Sequence, residues 1–210
     1  MFIASMSAMF LYDFEGSVYL NVTNRCPTAC RFCVKTDWEW SFRGRDLRLE
    51  SSEPPVGEIL AAMDERLAGP APREIVFCGF GEPTLRLDAV NAVAAELRRR
   101  GGSPPLRLNT VGLGSLVHGR DIVPELAPLL DAVSVSLNTV DPALWEELHR
   151  PAPRWRGRGF QAARVFAQGC VAAGLRTRVT AVEGTGADLD AVRAYADSIG
   201  AEFLARPALD

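Results

Sequence analysis

Apolar and polar positions along the chain switch between two periods. Six short runs rich in β-branched and apolar residues, at 17–23, 74–80, 106–111, 132–138, 175–182 and 202–206, read as strands. Between them, apolar residues recur every three or four positions at 56–67, 87–100, 122–130, 142–149 with 161–173, and 189–199, which predicts helices. Gly69, Gly101, Gly174 and Gly200 follow helical segments and suit C-caps. Strand–helix alternation predicts parallel strands joined by right-handed crossovers. Six units predict an α/β fold, an open partial (β/α)6 TIM-like barrel with outer helices rather than a closed eight-stranded one.

The 210 residues fit one domain, expected over residues 17–210 after a lead-in at 1–16. That lead-in is apolar but lacks a basic leading region and a clear cleavage site, so it reads as a disordered tail or a partly buried cap, and Met6 and Met9 are alternative starts. Residues 43–55 and 151–159 are polar, proline-bearing loops rather than domain boundaries. A hydrophobic content of 48% with 23% charged residues describes an ordinary globular chain. No apolar run reaches the roughly 18 residues of a membrane span, so no membrane partner is expected. A net charge of −3 gives no support to non-specific nucleic-acid binding.

Chemistry concentrates in Cys26-Pro-Thr-Ala-Cys30-Arg-Phe-Cys33, which follows the first predicted strand. Three thiolates at this spacing suit an iron–sulfur cluster with one iron left open, or part of a zinc site, which normally takes four ligands; unligated thiols are the third reading. The odd total of five cysteines argues against a disulfide framework. Cys78 and Cys170 lie singly in apolar segments and read as core thiols, and His118 and His149 are remote in sequence. Free thiols and a reduced cluster point to the cytoplasm.

In parallel α/β folds, ligands gather at the C-terminal strand ends. There the chain carries Gly79-Phe80-Gly81-Glu82-Pro83, where glycines permit close backbone approach and carbonyls or Glu82 suit an ammonium group; the alternative is a plain strand-to-helix turn started by Pro83. Ser134, Ser136 and Asn138 alternate along the fourth strand and so project together, able to bond a ribose or carboxylate, or only water. Asn109 and Thr110 are candidates by position, and Arg206 ends the sixth strand, where it suits an anionic substrate.

The three cysteines, with Phe32 before the last, resemble the signature of radical S-adenosylmethionine (SAM) enzymes. The stretch 19–33 is similar, more narrowly, to the TatD-associated radical SAM proteins, named for a neighbouring TatD-type nuclease gene. The resemblance implies a (β/α)6 partial barrel and a [4Fe–4S] cluster on Cys26, Cys30 and Cys33 whose fourth iron chelates the amino and carboxylate groups of SAM. It implies that reductive cleavage gives a 5′-deoxyadenosyl radical that abstracts hydrogen from a substrate, with an electron donor such as flavodoxin or ferredoxin as partner. It places Gly79, Gly81 and Glu82 on the SAM ammonium, Ser134, Ser136 and Asn138 on its ribose and carboxylate, and Val182 and Glu183 near adenine, with Phe32 and Pro83 among the cofactor contacts; Asn109 joins them by position alone. Substrate candidates are Asn21, Trp38 and Arg206. The substrate classes left open are a nucleotide or nucleic acid, a peptide, and a partner protein on which a glycyl radical is installed; the competing class is a non-catalytic iron–sulfur or zinc binding module.

Trp38 and Trp40 line a substrate mouth or pack over the cluster. Arg150, Arg154, Arg156 and Arg158 around Trp155 read as a solvated basic loop, or a phosphate grip. The run Arg98–Arg100 favours a helix C-terminus.

Overall fold

A computed structural model describes residues 10–37, 39–49 and 53–208, the side chains of Thr36 and Asp37 excepted. Trp38 lies outside the described residues. A hairpin of β1 (Leu11–Phe14) and β2 (Ser17–Leu20) comes first, and β2 leads through the cysteine loop to the short helix α1 (Val34–Asp37). A small two-stranded ribbon, β3 (Ser41–Phe42) with β4 (Arg45–Asp46), precedes α2 (Val56–Leu67) and β5 (Ile75–Phe77). Next come a 3-10 turn at Pro83–Arg86, α3 (Leu87–Arg100), β6 (Leu106–Thr110), α4 (Gly114–His118) and α5 (Val123–Leu126). The chain continues through β7 (Ala132–Ser136), α6 (Pro142–His149), α7 (Gly159–Ala172), β8 (Arg176–Val182), α8 (Leu189–Ile199) and β9 (Glu202–Arg206).

One sheet runs in the order β1-β2-β5-β6-β7-β8-β9, parallel throughout except for β1 against β2. Its six parallel strands are the six read from the sequence, in sequence order. The antiparallel edge strand was not expected, because it falls inside the lead-in assigned to residues 1–16. The turn residues Glu15 (φ 48°) and Gly16 (φ 75°) both take left-handed backbone, the two-residue turn whose twist matches a tight hairpin.

The two sheet faces differ in chemistry, as period-two alternation requires. Outward-facing Leu20, Ile75, Phe77, Leu106, Leu108 and Val133 pack on Ile59 and Met63 of α2 and Val90, Val93 and Leu97 of α3. A second cluster joins Leu137, Val179 and Ala181 to Trp145, Val192 and Ala196. The other face carries Tyr19, Arg107, Asn109, Ser134, Ser136, Arg178 and Thr180, with Ser134 beside Arg178 and Ser136 beside Thr180. A sheet buried on both faces would be apolar on both. Here the polar face is left for the inside of an open barrel.

Helix starts and stops follow local chemistry. Asp141 caps α6, accepting from the Ala143 and Leu144 N–H groups at 2.7 and 2.9 Å, with Pro142 at the first helical position. Asp188 caps α8 through Ala191 N–H, and left-handed Gly200 closes it.

Candidate active site

The strand-end rim is built by two segments that cross. After β2, residues 21–25 run toward the cysteine loop; after β5, the chain turns through Gly79-Phe80-Gly81. A Cβ on Gly81 would stand 2.1 Å from the Thr23 carbonyl oxygen, and one on Gly79 would stand 2.0 Å from Asn21 Oδ1. Gly81 is thus required by the neighbouring backbone and Gly79 by the buried Asn21 side chain. Glu82 N–H donates to the Arg25 carbonyl at 2.8 Å, tying the turn to the residue before Cys26.

Glu82 is 3% exposed, and its carboxylate is fully engaged inside the protein. Oε1 accepts from Thr84 N–H (3.1 Å), Thr84 Oγ1 (2.8 Å) and Thr110 Oγ1 (2.8 Å); Oε2 accepts from Val111 N–H at 2.8 Å. Burial holds its carboxyl above the ordinary value against those donors. Its side chain therefore links the turn to the end of β6, and Pro83 behind it is buried at the start of the 3-10 turn. Phe80 meets the Trp40 ring edge-on at 6.2 Å, and Lys35 and Arg48 lie over that ring, so Trp40 packs on the turn.

The cysteine loop is pinned from its other side by the C-terminus of α6. Ala29 N–H donates to the His149 and Arg150 carbonyls at 3.1 Å, Arg31 N–H to the Leu148 carbonyl at 2.8 Å, and Ala152 N–H to the Pro27 carbonyl at 2.9 Å. Arg31 also pairs with Glu147. The three thiols are free and partly exposed. Thr28 Oγ1 lies 3.3 Å from Cys26 Sγ and 3.4 Å from Cys30 Sγ. Burial pushes the Cys26 thiol up, helped by the Glu82 charge, and pushes Cys30 up to about 12.

His149 is remote in sequence, and folding brings its Nδ1 to 3.6 Å from Cys30 Sγ. The ring is fully buried, stacked on Trp145 at 4.4 Å and met edge-on by Phe32 at 5.5 Å. Burial pushes its pKa down to about 3, so the imidazole is neutral. The separation of 119 residues hid it.

The expected alternation on the fourth strand needs correcting. The strand ends at Ser136, and Asn138 has left-handed backbone (φ 66°), so it does not continue the inward row of Ser134 and Ser136. Asn138 is fully buried; its Oδ1 accepts from Val182 N–H at 3.0 Å and its Nδ2 lies 3.1 Å from His149 Nε2. Ser136 Oγ meets Arg206 Nη2 at 3.5 Å. Ser134 lines a cavity of about 370 Å³ at the opposite, N-terminal strand ends, with Arg73, Glu74, Arg107, Arg178 and Glu202. Asn109 accepts from Arg107. Val182 is nearly buried, while Glu183 is exposed and donates its N–H to the Arg206 carbonyl at 2.8 Å. Asn21 is 1% exposed and donates to Asn24 Oδ1 and the Leu47 carbonyl, both at 2.8 Å.

Three buried polar atoms at this rim have no hydrogen-bond partner among the described residues: Asn21 Oδ1, Thr180 Oγ1 and Arg206 Nε. Arg206 has no carboxylate partner among the described residues, and burial holds its guanidinium below the ordinary value, against the pull of Cys78 and Cys30. Orphaned buried groups call for a ligand. Among the described residues no three Cys, His, Asp or Glu side chains converge as they would on a single metal ion, whereas a [4Fe–4S] cube takes each thiolate on a different iron. Three partly exposed thiols on one loop, beside unsatisfied polar atoms, fit a cluster with a bound small molecule. Thr180 was missed because nothing in its strand distinguishes it from a packing threonine.

The profile of the Radical SAM superfamily matches residues 20–186. The chain belongs to this superfamily of enzymes. A probable RNA methyltransferase of Aromatoleum aromaticum is 33% identical over 133 residues, 61% of this chain and 33% of that protein. The chain thus spans about a third of that relative's length. Streptococcus suis SuiB shares the fold with a TM-score of 0.68 at 15% identity, covering 94% of this chain and 40% of SuiB. The methyltransferase TsrM of Kitasatospora setae, solved with cobalamin and a [4Fe–4S] cluster and also with tryptophan and the SAM analogue aza-SAM, gives a TM-score of 0.55 at 20% identity over 90% of this chain and 36% of TsrM. Radical SAM family members bind a [4Fe–4S] cluster and SAM, and these neighbours carry the partial TIM barrel predicted from the strand–helix alternation. Among the described residues no helix is long and apolar enough to cross a membrane.

Proposed function

We propose that Cys26, Cys30 and Cys33 hold a [4Fe–4S] cluster with one open iron, and that SAM lies across the rim of strand ends. When bound, these groups supply a 5′-deoxyadenosyl radical able to take a hydrogen atom from an unreactive position. The observation that carries this reading is the cysteine loop itself, partly exposed yet fastened on both sides, by the Arg25–Glu82 backbone bond and by the end of α6. The protein's share is placement. The turn at 79–81 offers its backbone to the SAM ammonium, and Glu82 ties that turn to β6. Ser136 and Thr180 offer hydroxyls, Asn109 and Phe32 flank the site, and Val182 and Glu183 border it from β8. Asn138 acts indirectly, joining β8 to His149.

The substrate occupies the polar inner face, with an anionic group against Arg206. A phosphate-bearing nucleotide or nucleic acid suits that guanidinium, and similarity to the probable RNA methyltransferase of Aromatoleum aromaticum favours the same class. An electron donor of the flavodoxin or ferredoxin type reduces the cluster.

Anaerobic reconstitution with iron and sulfide, then dithionite and SAM, tests the reading. About four irons per chain and 5′-deoxyadenosine by chromatography are expected, both lost in the triple Cys26, Cys30 and Cys33→Ala variant. Nucleic acid or nucleotides should raise the yield above peptides. A chain that takes zinc and no iron overturns the proposal.

A further inference from the structure

Helix α6 ends in a buried histidine that the proposed chemistry does not use. Stacking on Trp145 and the edge of Phe32 fixes the orientation of the His149 ring. Its Nδ1 faces Cys30 Sγ at 3.6 Å; its Nε2 faces Asn138 Nδ2 at 3.1 Å and the Leu137 carbonyl at 3.3 Å. What the ring does to Cys30 depends on whether Nδ1 carries a proton.

A chain of hydrogen bonds decides this. Val182 N–H donates to Asn138 Oδ1 at 3.0 Å, so the amide oxygen is turned toward β8 and the NH2 toward His149. An amide NH2 has no lone pair to offer, so Nε2 must be the acceptor. The Leu137 carbonyl, 3.3 Å from Nε2, already accepts from Thr139 N–H at 2.9 Å; its second lone pair is open to an Nε2–H, but that tautomer would turn a ring N–H against the Asn138 NH2 at 3.1 Å. The shorter contact, to the Asn138 NH2, favours Nε2 as the acceptor and with it a proton on Nδ1, pointing at sulfur.

We propose that His149 is a positioning residue whose Nδ1–H donates a hydrogen bond to the Cys30 thiolate when that thiolate ligates the cluster, raising the cluster's midpoint potential. The inference rests on the cluster reading of the three cysteines. A donor at a ligand sulfur stabilises the extra negative charge of the reduced cluster, one of the established levers on iron–sulfur potentials. Asn138 is what aims the ring at the sulfur. A donor reached from a helix so distant in sequence also couples the packing of α6 to the ease of reduction.

Two variants separate this role from simple packing. His149→Phe keeps an aromatic ring against Trp145 and removes both nitrogens. His149→Asn places an amide NH2 one bond beyond Cγ, where Nδ1 stood. Reconstituted proteins are assayed for iron, and midpoint potentials are read by titration followed by electron paramagnetic resonance. The expected result is equal iron content, a more negative potential in His149→Phe, and a return toward the wild-type value in His149→Asn. Equal potentials in wild type and His149→Phe at full iron loading overturn the inference while leaving the cluster reading intact; a wild-type chain that takes no iron overturns both. Should His149→Phe fail to fold or load, ring 15N shifts in the iron-free wild type decide. A proton on Nδ1 supports the proposal, and a proton on Nε2 overturns it.

Discussion

Gly81 shows how little room separates the two segments that form the rim. A methyl group there would meet the Thr23 carbonyl at 2.1 Å and the Arg25 carbonyl at 2.7 Å, and neither backbone atom can swing away. Gly81→Ala is expected to cost about 3 kcal/mol or more by overpacking, and to lower iron uptake because it displaces the segment leading into Cys26. Gly57 makes the opposite case: it lies near the start of α2 with nothing within 4 Å of an added Cβ, and its φ is ordinary. Gly57→Ala should raise stability by about 0.5 kcal/mol through unfolded-chain entropy and helix propensity. Urea denaturation of both variants checks the pair, and a harmless Gly81→Ala would refute the crowding argument. The glycines, cysteines and Glu82 were legible in the sequence as a constellation. Glu82's saturation by Thr84, Thr110 and Val111 was not, since two of those partners lie about thirty positions away.

Between elements, the feet of the strands are held by ion pairs on the inner face. Arg107 of β6 grips Glu74, just before β5, through Nε at 2.9 Å and Nη2 at 2.7 Å, and both groups are largely buried. The Arg107 hydrogen bonds, opposed by partial burial, hold the Glu74 carboxyl below its ordinary value. A carboxylate depressed in the folded state adds stability above its unfolded pKa and loses it as pH falls through the folded one. Wild type should therefore exceed Glu74→Gln by about 1 kcal/mol at neutral pH, and the gap should close below about pH 4. Urea midpoints across that range test it; a gap that persists in acid would point to packing instead. Strand and helix positions were readable because their periodicity is local: α2, α3, α6 and α8 match the expected bounds to the residue. The β1 strand escaped because Glu-Gly is a weak hairpin signal, and β5 stops at Phe77 because the glycine turn leaves the ladder.

Across the whole molecule, the site exists only because the cysteine loop after β2 meets the end of α6. The loop's amides at Ala29 and Arg31 bond to α6 carbonyls rather than to their own neighbours, and Thr28 bridges to Pro151. Hydrogen exchange at Ala29 and Arg31 should then be as slow as in α6 itself, because opening either amide requires the helix end to detach. Exchange at loop-like rates would show that the docking does not hold the cysteines in place. The Arg-rich stretch beside this contact is partly explained by it: Arg150 takes left-handed backbone (φ 45°) to end α6, and Arg154 covers the Trp155 ring at 4.7 Å.

From sequence alone followed the strand–helix alternation, the three thiols at cluster spacing and the glycine turn at a strand end, because each is written in residues close together along the chain. Only the tertiary structure placed His149 against Cys30, turned Asn138 away from the inner face and left Arg206 without a counter-ion among the described residues. Those outcomes depend on which distant elements share a surface, and no local pattern encodes that.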